Sequence, residues 1–167
     1  SALEKLQGLR SLGLSFSQTS LSDIFLVSGT IGKMNNLETL QFHAMNCGSI
    51  SDAAFKRVFE HFSKLKNMKS IDLNFLGCSR IDTGFEKLIE SLGKMKFLEI
   101  LKLNFANCEE IREAGIDYLL EILPGLKYLR SIALEFSYCQ HVSMQKLDEL
   151  KANIDQRHIE LHMNNSR

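Results

Sequence analysis

The stretch LEILKLNFANCEEI, at residues 98–111, decides the fold. Its apolar residues Leu101, Leu103 and Phe105 alternate with polar ones, which is the pattern of a β-strand with one buried face. Cys108 follows after two further residues, in a segment typical of a turn. We therefore predict a short strand that ends near Phe105 and enters a turn.

The same pattern recurs along the whole chain. Its second apolar anchor advances by 28, 31, 30, 31 and 27 residues from copy to copy. The anchors are Leu12, Leu40, Ile71, Leu101, Ile132 and Ile159. A fixed period of this length indicates a repeat architecture.

A helical spacing of apolar residues follows each central strand. It is seen in Phe55, Val58, Phe59, Phe62 and Leu65, in Phe85, Leu88, Ile89, Leu92 and Met95, and in Ile116, Leu119, Leu120 and Leu123. Ser51-Asp52, Asp82-Thr83 and Glu113 stand where helix caps or first-turn acids are expected. Because one strand-plus-helix unit cannot bury both apolar faces, we predict that neighbouring units stack, with a parallel sheet inside and helices outside.

These units resemble leucine-rich repeats of the ribonuclease-inhibitor-like class. The segments at 47–52 (CGSISD) and 78–84 (CSRIDTG) are also similar to the cysteine-containing class, whose motif is C-x-x-I-T-D-x-G. The strand is longer than in that motif by one apolar-polar step, ending in Phe75, Phe105 and Phe136. The resemblance implies an α/β horseshoe solenoid, with about six parallel strands on the concave face and helices on the convex face.

Composition excludes several classes of protein. Residues 1–167 contain 20 Lys and Arg and 20 Asp and Glu, and this balance gives no overall footprint for nucleic acid. No apolar run is long enough to span a bilayer, so we expect no membrane insertion. A single proline and no linker-like segment predict one domain, and the helix-like start at residues 1–5 is expected of a fragment of a longer chain.

The four cysteines lie at the repeat period itself. Cys47, Cys78, Cys108 and Cys139 are separated by 31, 30 and 31 residues, so we expect a ladder of thiols about 5 Å apart. A line of thiols does not converge on one zinc ion, and buried free thiols are favoured over disulfides between adjacent rungs. This predicts no metal and a reducing compartment, the cytoplasm. The phenylalanine row is likewise expected to be a packing ladder and not a cofactor site.

The polar residues between the buried strand positions form the candidate partner-binding face. The resemblance directs attention to it, because leucine-rich repeats generally bind partners through the concave sheet. The predicted site residues are Gln41, His43, Asp72, Asn74, Lys102, Asn104, Glu135, Tyr138, Glu160 and His162. Tyr138 is the best anchor by interface statistics, and Asp72 with Lys102 is expected to form an exposed ion pair. The alternative is that these are ordinary solvated strand residues.

Ser15, His43 and Asn74 share one row and include the residue types of a nucleophilic triad. An open sheet offers no pocket that excludes water and no oxyanion hole, so we expect no catalytic residues. The sequence also has no phosphate-binding glycine motif, and no cofactor is expected.

We therefore predict a non-catalytic module, not an enzyme, that binds a protein partner through the concave sheet or a solenoid edge, as a scaffold or a subunit of a larger assembly. The alternative is a regulatory or substrate-recognition repeat region of a larger enzyme or ubiquitin-ligase receptor, or a GTPase regulator, as the resemblance allows.

Overall fold

The computed structural model describes residues 8–16, 21–157 and 159–164. The strands are β1 (Ser11–Ser15), β2 (Thr39–His43), β3 (Ser70–Asn74), β4 (Ile100–Asn104), β5 (Ser131–Glu135) and β6 (Glu160–Asn164). The helices are α1 (Leu21–Ile31), α2 (Asp52–Phe62), α3 (Thr83–Leu92), α4 (Glu113–Ile122) and α5 (Met144–Asp155). A short 3₁₀ turn at Leu123–Gly125, which contains Pro124, follows α4.

The six strands form one parallel sheet in the order β1-β2-β3-β4-β5-β6, and a helix connects each strand to the next. This confirms an α/β fold. Register pairs the anchors Leu40, Ile71, Leu101 and Ile132 with one another, as the motif aligns them. The last anchor was placed wrongly: Ile132 pairs with Leu161, not Ile159, so the final step is 29 residues.

The core lies between one face of the sheet and the helices. Phenylalanine rings run through it, with Phe75 stacked 5.5 Å from Phe105 and Phe105 stacked 6.4 Å from Phe136. The row continues at β2 in an altered form, because Ala44 stands where the other copies have phenylalanine. The ring of Phe42, two residues earlier, lies 6.1 Å from that of Phe75 and replaces the missing rung.

The cysteine ladder is present as predicted, with all four thiols free and buried. Cys78 donates to the carbonyl of Ala44 at 3.0 Å, and Cys108 donates to that of Phe75 at 3.2 Å. Cys139 does the same to Phe105. Each of these thiols thus donates a hydrogen bond to a backbone carbonyl at the end of the preceding strand.

A left-handed turn follows each of the four strands β2 to β5. Asn46, Gly77, Asn107 and Tyr138 all have φ between 56° and 72° and occupy the same place in successive copies. The backbone N–H groups of Asn46, Gly77 and Asn107 continue the ladder outward, as when Asn46 donates to the carbonyl of Leu76. Glycine and asparagine tolerate this conformation, whereas a bulky tyrosine does so at a cost.

Helix capping crosses from one copy to the next. The side chain of Asp52, in the first turn of α2, accepts from the backbone N–H of Asp82 at 2.9 Å and of Gly84 at 2.6 Å, at the start of α3. Glu113 in α4 accepts from Ser143 before α5 in the same way. The predicted cap Asp82 itself makes no side-chain cap bond. A Cβ at Gly84 would lie 2.7 Å from Asp52 Oδ1, so this close approach requires glycine.

No helix within the described residues is both long enough and apolar enough to cross a bilayer.

Candidate functional site

The face of the sheet opposite the helices is open to solvent, and we call it the open face. A groove of about 690 Å³ runs over β2 to β6 on this face. Its lining includes seven of the ten predicted site residues: His43, Asp72, Asn74, Lys102, Asn104, Glu135 and His162. The period of two in each strand brings these side chains to one surface, because the alternate residues are committed to the core.

A histidine–carboxylate contact marks one side of the groove. His43 Nε2 lies 3.3 Å from Asp72 Oδ1 on the neighbouring strand, and both side chains are about one-third exposed or less. The predicted Asp72–Lys102 ion pair is wrong, since no salt bridge joins these two described residues although they are register partners. Asp72 has a neighbouring strand on each side and contacts the imidazole of His43 instead of Lys102. The exposed Lys102 side chain is therefore available to a ligand.

Three groove residues also hold the strand ends. Asn74 Oδ1 accepts from the N–H of Leu76 at 3.1 Å, and Asn104 Oδ1 accepts from that of Ala106 at 3.1 Å. Glu135 Oε1 accepts likewise from Ser137. Such local bonds close the turns that follow the strands. These side chains therefore have a structural role, and what each offers a partner is its remaining polar atoms.

Tyr138 lies beside the groove in a second depression of about 370 Å³. Its side chain is 56% exposed and its φ is 62°. Asn104 and Glu135 line both the groove and this second depression, so the two adjoin. The hydroxyl of Ser137 also lines the second one, is buried, and has no hydrogen-bond partner among the described residues.

The remaining predicted residues contribute less. Gln41 is exposed on β2 outside the groove, and Glu160 contacts His162 at 3.1 Å on the same strand. Ala133 lines the groove but was absent from the predicted set, because alanine carries no polar group that marks it as a binding residue. Its place in the strand alternation was the available signal.

The described side chains do not form a nucleophilic arrangement. His43 contacts Asp72, the Asn74 side chain bonds within its own turn, and Ser15 makes no side-chain bond to His43. Burial raises the pKa of Cys78 to about 12 and that of Cys139 to about 11, so neither thiol supplies a thiolate near neutral pH. Within the described ranges no group of three or more His, Cys, Asp or Glu residues is arranged to hold a metal ion.

Fold and site together define the class of this chain as an α/β protein with a polar groove on the open face of a parallel sheet. A scan of protein-family models finds no family that matches the chain. No curated protein matches it either.

Proposed function

We propose that this chain is a non-catalytic leucine-rich-repeat module, a solenoid of the ribonuclease-inhibitor-like type, that binds a protein partner through the groove on its open face. The observation that carries the proposal is the groove itself, since residues from five successive strands contribute to one surface. The equal register of every strand pair supports the repeat, because each copy presents the same positions to the same side.

The composition of the groove suits a polar segment of a protein. Asp72 and Glu135 supply acceptors, Lys102 supplies a cation, and His43 and His162 supply either role. Tyr138 adds an aromatic surface at the end of the groove, and aromatic residues are enriched among those that dominate binding energy. Free, buried thiols also support a reducing, cytoplasmic setting for the module.

The test places a photo-crosslinking amino acid at Lys102, in the groove, and at Lys151, exposed on α5, as a matched control. Crosslinking in extract of the native source should give a discrete, saturable adduct from position 102 and none from 151. Mass spectrometry of the adduct would distinguish a scaffold partner from a GTPase or a ubiquitin-ligase component.

A blocking variant makes the test sharper. Ala133→Arg introduces a long side chain into the groove, and the methyl side chain that it replaces makes no hydrogen bond. We expect the adduct from position 102 to fall about ten-fold or more, while the melting temperature stays close to that of the parent chain. Equal adducts at both positions, or an adduct that Ala133→Arg leaves unchanged, would refute the proposal.

A further inference from the structure

Charge is unevenly distributed between the two edges of the sheet. The segments that precede the strands are residues 8–10, 32–38, 63–69, 93–99, 126–130 and 156–157, and we call them the helix-to-strand edge. They hold ten of the chain's 20 Lys and Arg but two of its 20 Asp and Glu, a formal charge of +8. The opposite loops, 44–51, 75–82, 105–112 and 136–143, hold two basic and three acidic residues. The chain as a whole has no net charge, but this edge of the sheet is basic.

Helix dipoles account for only part of this charge. All five helices end at the helix-to-strand edge, and each C-terminus carries the equivalent of about −0.5 charge. Lys66 and Lys96 use this, because their ammonium groups donate to carbonyls of Ser63 and Gly93, the capping residues of α2 and α3. Five such termini offset about 2.5 charges, which is less than the formal +8 of this edge.

The charged residues that directly precede the strands on this edge neutralise one another. Arg10, Glu38, Lys69, Glu99 and Arg130 occupy one position in five successive copies, and their charges alternate in sign. Ion pairs join Arg10 to Glu38 at 3.0 Å and Lys69 to Glu38 at 2.9 Å. Arg130 pairs with Glu99 at 3.2 Å. At these positions, where the charges stabilise the fold itself, neighbouring copies carry charges of opposite sign.

Three residues earlier in each copy the arrangement is the reverse. Lys66, Lys96 and Lys127 stand at one position of three successive copies, all exposed and all of one sign, and we call them the lysine row. No ion pair involves any of the three within the described part of the chain. Adjacent copies are about 5 Å apart along the sheet, and exposed like charges this close repel one another. Three exposed cations of one sign on adjacent copies are complementary to a ligand of opposite charge.

An exposed aromatic pair lies next to the row. Phe97 and Tyr128 each follow a lysine of the row directly in sequence, and their side chains are 52% and 59% exposed. Their ring centroids lie 6.0 Å apart at an interplanar angle of 35°. The pair forms an apolar platform beside three cations.

We infer that the lysine row and the Phe97–Tyr128 pair form a second binding surface, which takes an acidic protein segment with an apolar side chain. The row spans about 10 Å, which matches about three residues of extended chain. Three cations are few for a nucleic acid, whose binding uses about 6–10 phosphate contacts, and the touching rings leave no slot for a base. They are also few for an anionic membrane, where each basic residue contributes about 1 kcal/mol.

This inference is independent of the groove, because no groove residue belongs to the lysine row. The probe is the fluorescein-labelled peptide Glu-Glu-Leu-Glu-Glu-Leu-Glu-Glu, with its glutamine counterpart as the neutral control. Fluorescence anisotropy with the 167-residue chain should show binding of the acidic peptide only, weakening as salt rises from about 50 to about 200 mM. Single-stranded oligouridylate and phosphatidylserine vesicles are the two competing arms.

Two variants locate the peptide. Lys66→Gln/Lys96→Gln/Lys127→Gln should weaken binding about ten-fold or more, and Phe97→Ser/Tyr128→Ser should weaken it without changing the salt dependence. The control Arg57→Gln/Arg80→Gln/Lys151→Gln removes three exposed charges that lie outside both the lysine row and the groove, and should bind normally. Circular dichroism verifies that each variant is folded. Equal loss in the control, no loss in either row variant, or row-dependent binding of RNA or vesicles but not of the peptide would overturn the inference.

Discussion

At the scale of single residues, Tyr138 is the least expected choice in the molecule. The same turn position is taken by Asn46, Gly77 and Asn107 in the preceding copies, and all four have positive φ. Asparagine and glycine adopt this region readily, whereas other L-residues lose roughly 1–2 kcal/mol there. A strained and exposed tyrosine beside the proposed binding groove is the kind of outlier that motivates a functional role.

Tyr138→Asn should stabilise the chain by about 1 kcal/mol, because the backbone conformation is kept and its strain is relieved. Urea denaturation followed by circular dichroism measures the change. The reciprocal control, Asn107→Tyr, moves the same strain to the equivalent turn and should destabilise by a similar amount. An unchanged or lower midpoint for Tyr138→Asn would show that the ring makes compensating contacts.

At the scale of elements, sequence periodicity predicts strands and helices well because both patterns arise from burial on one face. Leu101 and Leu103 alternate as β4 requires, and Leu88 and Ile89 face the core from α3. Interactions between copies are harder to predict. That Asp52 caps the following helix, and that Phe42 substitutes for a ring at Ala44, depends on distances across the stack that one repeat does not contain.

The cross-copy cap predicts a pH dependence. Burial of the Asp52 carboxylate acts to raise its pKa, but hydrogen bonds from the N–H groups of Asp82 and Gly84 outweigh this. Lys56 and Thr83 contribute in the same direction, so the folded-state pKa lies below its ordinary value. The carboxylate therefore stabilises the fold above its unfolded pKa of about 3.9 and loses this effect as pH falls through the folded pKa.

Asp52→Ala should accordingly lower the free energy of unfolding by about 1–2 kcal/mol at pH 7, as the loss of a helix cap does. The difference from the parent chain should shrink as pH falls below about 4. Urea titrations at several pH values measure it. Glu121→Gln, at an exposed residue of α4, is the control and should give a curve parallel to the parent's.

The phenylalanine ladder predicts a large loss on truncation. Phe105 is fully buried and its ring lies between those of Phe75 and Phe136. Phe105→Ala should cost about 3–5 kcal/mol through lost burial and the cavity left behind. Phe97→Ala makes the same change at a half-exposed site in the same copy and should cost much less. Similar melting temperatures for the two variants would contradict the ladder.

At the scale of the whole molecule, contacts between the secondary-structure elements of the described ranges join neighbours along the stack, such as α2 with α3 and β3 with β4. The open-face groove was largely predictable, because strand alternation alone selects its residues. The lysine row was not, since a composition with zero net charge gives no sign of where the charges lie. Only the alignment of loops across copies brings Lys66, Lys96 and Lys127 together.

A stack held by neighbour contacts should open from its ends, and the cysteines report where opening occurs. Cys78 and Cys108 are fully buried in central copies, whereas Cys47 and Cys139, nearer the two ends, are 2% and 6% exposed. Local opening costs least at the ends of a nearest-neighbour array. Alkylation at pH 8 under native conditions, read by peptide mass spectrometry, should therefore label Cys139 and Cys47 before Cys78 and Cys108.

Burial contributes a second reason for slow reaction, because it raises the pKa of Cys78 to about 12 and keeps the thiol protonated. The control is the same labelling in concentrated guanidinium chloride, where all four thiols should react at one rate. Equal native rates at the four sites would mean that the chain unfolds as a single cooperative unit. Faster labelling of Cys108 than of Cys139 would contradict end-first opening, because the most protected copy would then be the first to expose its core.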